Sequence, residues 1–276
     1  MKTFFSNLGE AFDCAIQDGS FSTAKGAAYS LILAFFPTLM LLSEVLVGTR
    51  TTAALAREIT NALERVMPPT SRQLALQYFS GPAEHYSFRL IFAALSIGLF
   101  AGTGVTGSLI QGFRAAYRMK FDWSLWHEEG LALGMVFMAG TPMLAATALV
   151  VFGQQVQNWM LQQTEYPMAV LLGWAALRWI LALTTGTLVL GILYYLAPNC
   201  EDRFRRVLPG AFLATVGWLI ASAGFGWYVK NMAVYSKIYG NLGTLIALMI
   251  WMYLGALIIL FGCQFNAVRE RKRRGA

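Results

Sequence analysis

An all-α, polytopic membrane fold with six transmembrane helices is predicted by three features of the sequence. Hydrophobic residues fill 57% of the 276 positions while charged residues fill only 13%. A soluble domain carries about 25% charged residues, so this chain has too few to cover a water-facing exterior, and lipid is the solvent that fits. The mean hydropathy of +0.54 says the same. The third feature is the spacing: apolar residues gather in runs near the 20 residues or so that cross a bilayer as a helix.

The first element is short. Phe4, Phe5, Leu8, Phe12 and Ile16 recur at helical spacing, with Glu10, Asp13, Gln17 and Asp18 on the other face, which predicts an amphipathic helix lying on the membrane surface. The first span is expected over 27–47, with Pro37 able to kink it. It begins too late for a cleaved signal peptide and should act as an uncleaved anchor. Residues 48–89 follow as an outer segment in which Leu55, Ile59, Ala62, Leu63 and Val66 form an apolar face. Pro68 and Pro69 interrupt that face and Leu74 and Tyr78 resume it, so a helical hairpin capping the bundle is expected there.

The remaining spans are expected over 90–111, 131–152, 168–196, 207–229 and 242–265, and residues 266–276 read as a basic cytoplasmic tail. Pro142 can kink the third span, and Pro209 can occupy the first turn of the fifth. The whole chain reads as one membrane domain. Even parity places both termini on one side, and thirteen Lys and Arg residues fall on that side against seven on the other. Basic connections stay inside, so both termini are expected in the cytoplasm. The +7 net charge is spread in short clusters between apolar runs and forms no phosphate-binding stripe, so no nucleic-acid partner is expected. Cys14, Cys200 and Cys263 are odd in number and far apart, which suggests neither a disulfide framework nor a metal site.

Two patterns imitate soluble enzymes. Gly102-Thr103-Gly104-Val105-Thr106-Gly107 spells a dinucleotide fingerprint, with Asp122 twenty residues beyond its first glycine. That motif needs a strand before it and a helix after it, whereas these glycines lie inside a membrane-length run. Gly98 and Gly102 read instead as a small-residue face that admits a second helix. His127-Glu128-Glu129 gathers potential ligands, but consecutive positions splay apart on a helix, and His85 is expected across the membrane. A charged interfacial turn anchored by Trp123 and Trp126 is the simpler reading. No catalytic residue, cofactor or metal is expected.

Ionisable residues within spans carry more information, because charge in hydrocarbon is costly. Arg178 lies near the middle of the fourth span, and Glu44 lies toward the outer end of the first. Either the two pair and line a polar cavity, or Arg178 snorkels while Glu44 reaches the interface independently. Gln111, Asn241, Gln264 and Asn266 sit at span ends, where hydrogen bonding between helices is their default role. Trp251 and Tyr253 fall deeper than an aromatic belt, as packing residues or as the wall of a lipid site.

Several motifs resemble the YihY/BrkB family of bacterial inner-membrane proteins. They are Gly26-Ala27-Ala28-Tyr29 with Phe36-Pro37, Leu193-Tyr194-Tyr195 with Ala197-Pro198-Asn199, and Leu208-Pro209-Gly210-Ala211. Tyr239-Gly240-Asn241-Leu242-Gly243, read as a turn opening the sixth span, Ile250-Trp251-Met252-Tyr253, Gly262 and Asn266-Ala267-Val268 complete the set. The resemblance covers nearly the whole chain and implies six membrane helices and a link to envelope biogenesis. The family's older ribonuclease label has no counterpart here in a ligand cluster suited to phosphodiester hydrolysis, and no catalytic residues carry over. The expected role is non-enzymatic transport or organisation of envelope lipids, with membrane lipids and anionic headgroups as partners. A scaffold that binds copies of itself or envelope proteins through glycine-rich faces is the alternative, and a membrane-bound enzyme is the third reading.

Overall fold

In the computed structural model the described residues are 2–48, 88–119, 126–141, 167–197, 204–231 and 233–275, and all their regular structure is helical. Seven helices follow in order. They are α1 (Lys2–Gln17), α2 (Ser20–Gly48), α3 (Phe88–Tyr117), α4 (126–141), α5 (Pro167–Leu196), α6 (Phe204–Asn231) and α7 (Ala233–Arg274). Five of them, α2, α3, α5, α6 and α7, are long and apolar enough to cross a bilayer. The expected third span is helical as far as residue 141, and its remainder lies outside the described residues, as does nearly all of the expected hairpin over 48–89.

Local chemistry explains the boundaries. Gly19 takes a left-handed φ of 70° and closes α1, where Asp18 N–H donates to Cys14 C=O. Glycine alone occupies that region without steric cost. The Gly19 carbonyl then accepts from Ser22 and Thr23 N–H, so α2 starts at once, a full two turns before the expected 27. α3 ends on Arg118, also left-handed at 53°, and Met119 N–H reaches back to the Arg114 carbonyl.

α7 departs from expectation at both ends. Tyr239-Gly240-Asn241 is helical, where a turn was expected, and the helix runs on to Arg274 through the stretch read as a tail. A glycine inside a helix costs about 1 kcal/mol but does not end it, and no proline interrupts this stretch. The length makes α7 the central post, packed on α1, α2, α3 and α6, while α5 joins the bundle through α6 and α2 pairs extensively with α3.

The core is concentrated at the end of the bundle that carries both termini. Its largest cluster takes Ala24 and Ala27 from α2, Leu109, Ile110 and Phe113 from α3, Leu193 and Tyr194 from α5, Val207 and Ala211 from α6, and Leu260 and Cys263 from α7. Toward the other end, α3 and α5 expose large apolar side chains such as Phe92, Phe100, Leu172 and Trp179. Exposed apolar surface on this scale suits contact with lipid chains.

Candidate functional site

The functional geometry centres on the terminus-bearing end, where α6 and α7 cross with almost no separation. A Cβ added at Gly210 would lie 2.2 Å from the Gly262 carbonyl oxygen, and one at Gly262 would lie 2.6 Å from the Gly210 oxygen. Only glycine at both positions lets the two backbones meet. Pro209, beside this contact, lacks an N–H and disturbs the α6 hydrogen-bond ladder. Asn266 of α7 clamps the backbone on either side of this proline: its Oδ1 accepts from Gly210 N–H at 2.8 Å, and its Nδ2 donates to the Val207 carbonyl at 2.7 Å. The separate motifs Leu208-Pro209-Gly210-Ala211 and Gly262 to Asn266 are thus two halves of one joint.

α5 enters the same joint through Tyr194, which is fully buried against Phe113 of α3 in an edge-on ring contact at 5.1 Å. Its hydroxyl donates to the Ile259 carbonyl of α7 at 2.5 Å. Gly262 keeps that hydroxyl in place, since a Cβ there would lie 2.7 Å from it. Higher up, Gly186 and Gly191 of α5 admit Thr215 and Leu208 of α6.

Buried polar contacts continue across this end. Gln264, fully buried, donates through Nε2 to Asp18 Oδ2 at 3.0 Å and so ties the α1–α2 corner to α7. Arg114, also buried, forms an ion pair with Glu128 at the start of α4. Glu270 is shared by Arg206 at 3.5 Å and Arg274 at 3.0 Å. Sequence reasoning marked Gln264 and Asn266 as interhelical residues but counted Arg114 only as loop charge. The available signal was its helical register with Ile110, four residues earlier on the buried stripe of α3.

The other expected site residues are dispersed. Arg178 lies on α5, half-exposed between the exposed side chains of Leu177 and Trp179. Glu44 lies on α2, with its side chain outside the described residues, so the expected pairing rests on no described contact. Helix α5 packs on α6, and α2 packs on α3 and α7. Gly98 faces Pro37 of α2, and Gly102 faces Val136 of α4, with a Cβ at 102 reaching 3.3 Å from that valine. Trp251 donates to Ser222 Oγ at 3.2 Å and lies beside Trp218, while Tyr253 packs on the main core. Among the described residues, no group of three or more His, Cys, Asp and Glu residues is placed to hold a metal ion. His85 lies outside the described residues, and Glu128 is turned to Arg114.

These features define a helical integral membrane protein whose buried ion pairs, among the described residues, lie at the terminus-bearing end of the bundle. The profile of the family described as "Virulence factor BrkB" matches residues 11–276, and the chain belongs to that family. It is 26% identical to the "Putative ribonuclease-like protein YfkH" of Bacillus subtilis (strain 168) over 94% of this chain and 93% of that protein. It is 27% identical to a "UPF0761 membrane protein" of Chlorobium luteolum over 90% of this chain and 56% of that protein. An Alteromonas mediterranea "UPF0761 membrane protein" is 24% identical over 96% and 91% of the two chains. No solved structure matches the chain.

Proposed function

We propose that this chain is a non-enzymatic protein of the bacterial inner membrane, with both termini in the cytoplasm, that moves or organises envelope lipids. The observation that carries the reading is Arg178. It stands about 17 Å along α5 from Pro167 by helix rise, at a depth where hydrocarbon surrounds a spanning helix, yet it is half-exposed among Leu177, Trp179 and Ile180, all exposed themselves. A cation at that depth, with its Nε buried and the side chain only partly covered, is costly in hydrocarbon, and water or anionic headgroups drawn into the leaflet would offset that cost. The excess of Lys and Arg at the terminus-bearing end supports the orientation.

The ribonuclease-like name of the Bacillus relative would require acids or histidines free to engage RNA or a metal. Three acidic groups at the packed end are engaged instead, Glu128 with Arg114, Glu270 with Arg206 and Arg274, and Asp18 with Gln264, while Asp13 and Glu129 are exposed on separate helices, α1 and α4. Native mass spectrometry of gently extracted protein tests the lipid reading. The wild type and Arg178→Lys should each retain one more equivalent of a defined anionic lipid than Arg178→Leu. Equal retention of bulk lipid by all three would discard the reading in favour of a membrane scaffold.

A further inference from the structure

Helix α1 has three faces rather than two. Leu8, Ala11 and Cys14 dock on Phe261, Phe265 and Val268 of α7. A second edge is held by Lys272, which bonds Asn7 at 2.8 Å and pairs with Glu10 at 2.6 Å. The third face carries Phe5, Phe12 and Ile16, which are 65%, 51% and 54% exposed. Their spacing of seven and then four residues aligns them on one stripe. Because the docking face is occupied and Lys272 holds the far edge, α1 cannot roll to bury this stripe.

Two neighbours indicate what covers it. Phe12 meets the ring of Phe21, on the second residue of the membrane-spanning α2, at 6.4 Å and nearly perpendicular, so the stripe is continuous with the bilayer edge of that span. On its other side Phe4 stacks edge-on against Phe265 at 5.5 Å, and the Arg269 guanidinium lies 5.8 Å over the same ring. Arg273 is exposed one turn further along α7. An apolar stripe at interfacial depth beside exposed arginines matches acyl chains below anionic phosphates. We propose that the Phe5–Phe12–Ile16 stripe, flanked by Arg269 and Arg273, is seated in the leaflet at this end of the bundle and binds anionic phospholipid there. This site is separate in position and in helix from Arg178.

Photocrosslinking tests the assignment. Benzoylphenylalanine replaces Phe12 or, as a polar-edge control, Asp13. Each full-length protein is reconstituted in vesicles of phosphatidylethanolamine with phosphatidylglycerol and irradiated, and the adducts are read by mass. Position 12 should capture phospholipid and position 13 should not. Phosphatidylglycerol should be captured above its share of the vesicle by about five-fold per arginine, a preference that falls to the bulk share in Arg269→Gln/Arg273→Gln and shrinks in high salt with the unsubstituted arginines. Arg178→Leu should leave the adducts unchanged, so failure of the lipid-transport reading would not touch this one. Absent lipid adducts at position 12, capture of protein there, or capture at the bulk share in the presence of both arginines would overturn the proposal.

Discussion

Replacing Gly210 by alanine is the sharpest probe of the α6–α7 joint. The new methyl would lie 2.2 Å from the Gly262 oxygen and 2.5 Å from Cγ and Nδ2 of Asn266. Backbone cannot yield as a flexible side chain can, so the two helices must separate by roughly 1 Å, enough to forfeit a quarter to a half of each local dispersion contact. Overpacking of this kind costs about 1–3 kcal/mol, and distorting the two buried Asn266 hydrogen bonds adds about 1–2 kcal/mol. The expected loss is about 2–5 kcal/mol. Gly224 of the same helix is the matched control, because a Cβ there meets nothing within 4 Å. Its alanine variant should be neutral or gain up to about 1 kcal/mol from helix propensity. Reversible unfolding in mixed micelles, followed by circular dichroism, measures both. The Gly210→Ala/Gly262→Ala double variant should lose less than the two singles together, since one separation of the helices relieves both clashes. Equal stability of Gly210→Ala and Gly224→Ala would refute the close crossing.

Other substitutions probe the same end of the bundle. In the Arg114–Glu128 pair the side chains are 5% and 24% exposed, so the two halves are unequal. Glu128→Leu removes the acidic partner of a buried guanidinium and should cost up to about 3–5 kcal/mol, whereas Arg114→Leu leaves a carboxylate able to hydrate and should cost less; the same unfolding assay ranks them. Asn266→Leu should destabilise by about 2 kcal/mol through its two lost backbone contacts, with amide exchange quickening around Val207 to Ala211. Tyr194→Phe keeps the ring packing and loses one hydroxyl bond, so about 1 kcal/mol is expected, far short of what Tyr194→Ala would cost. Green fluorescent protein fused after Ala276 should fluoresce and alkaline phosphatase there should stay inactive, and the reverse pattern would invert the proposed orientation.

How much of this was legible in the sequence differs from feature to feature. Runs of apolar residues marked the five helices that are long and apolar enough to cross, because a helix in lipid satisfies its own backbone and its length follows from bilayer thickness. Prolines and polar clusters were poorer guides to where helices stop. Tyr239-Gly240-Asn241 has turn chemistry yet continues α7, since an unstrained helix tolerates glycine and asparagine when nothing else caps it. Helix α1 was recognisable from its period, but its apolar set was read as one face. Docking on α7 divides that set, taking Leu8 inward and leaving Phe5, Phe12 and Ile16 outside, and Asp18 meets buried Gln264 rather than water.

Composition and periodicity by themselves determined that the chain is helical, lies in a membrane and carries its basic excess at span ends, because each of those properties is settled within a few helical turns. Which residues meet was decided only by the tertiary structure. The Gly210–Gly262 crossing, the Asn266 clamp beside Pro209, the Tyr194 bond to Ile259 and the Arg114–Glu128 pair each join residues on different helices. Helix propensity and hydropathy are local quantities, whereas these contacts depend on crossing angle, register and rotation between helices, which are set when small residues let backbones approach.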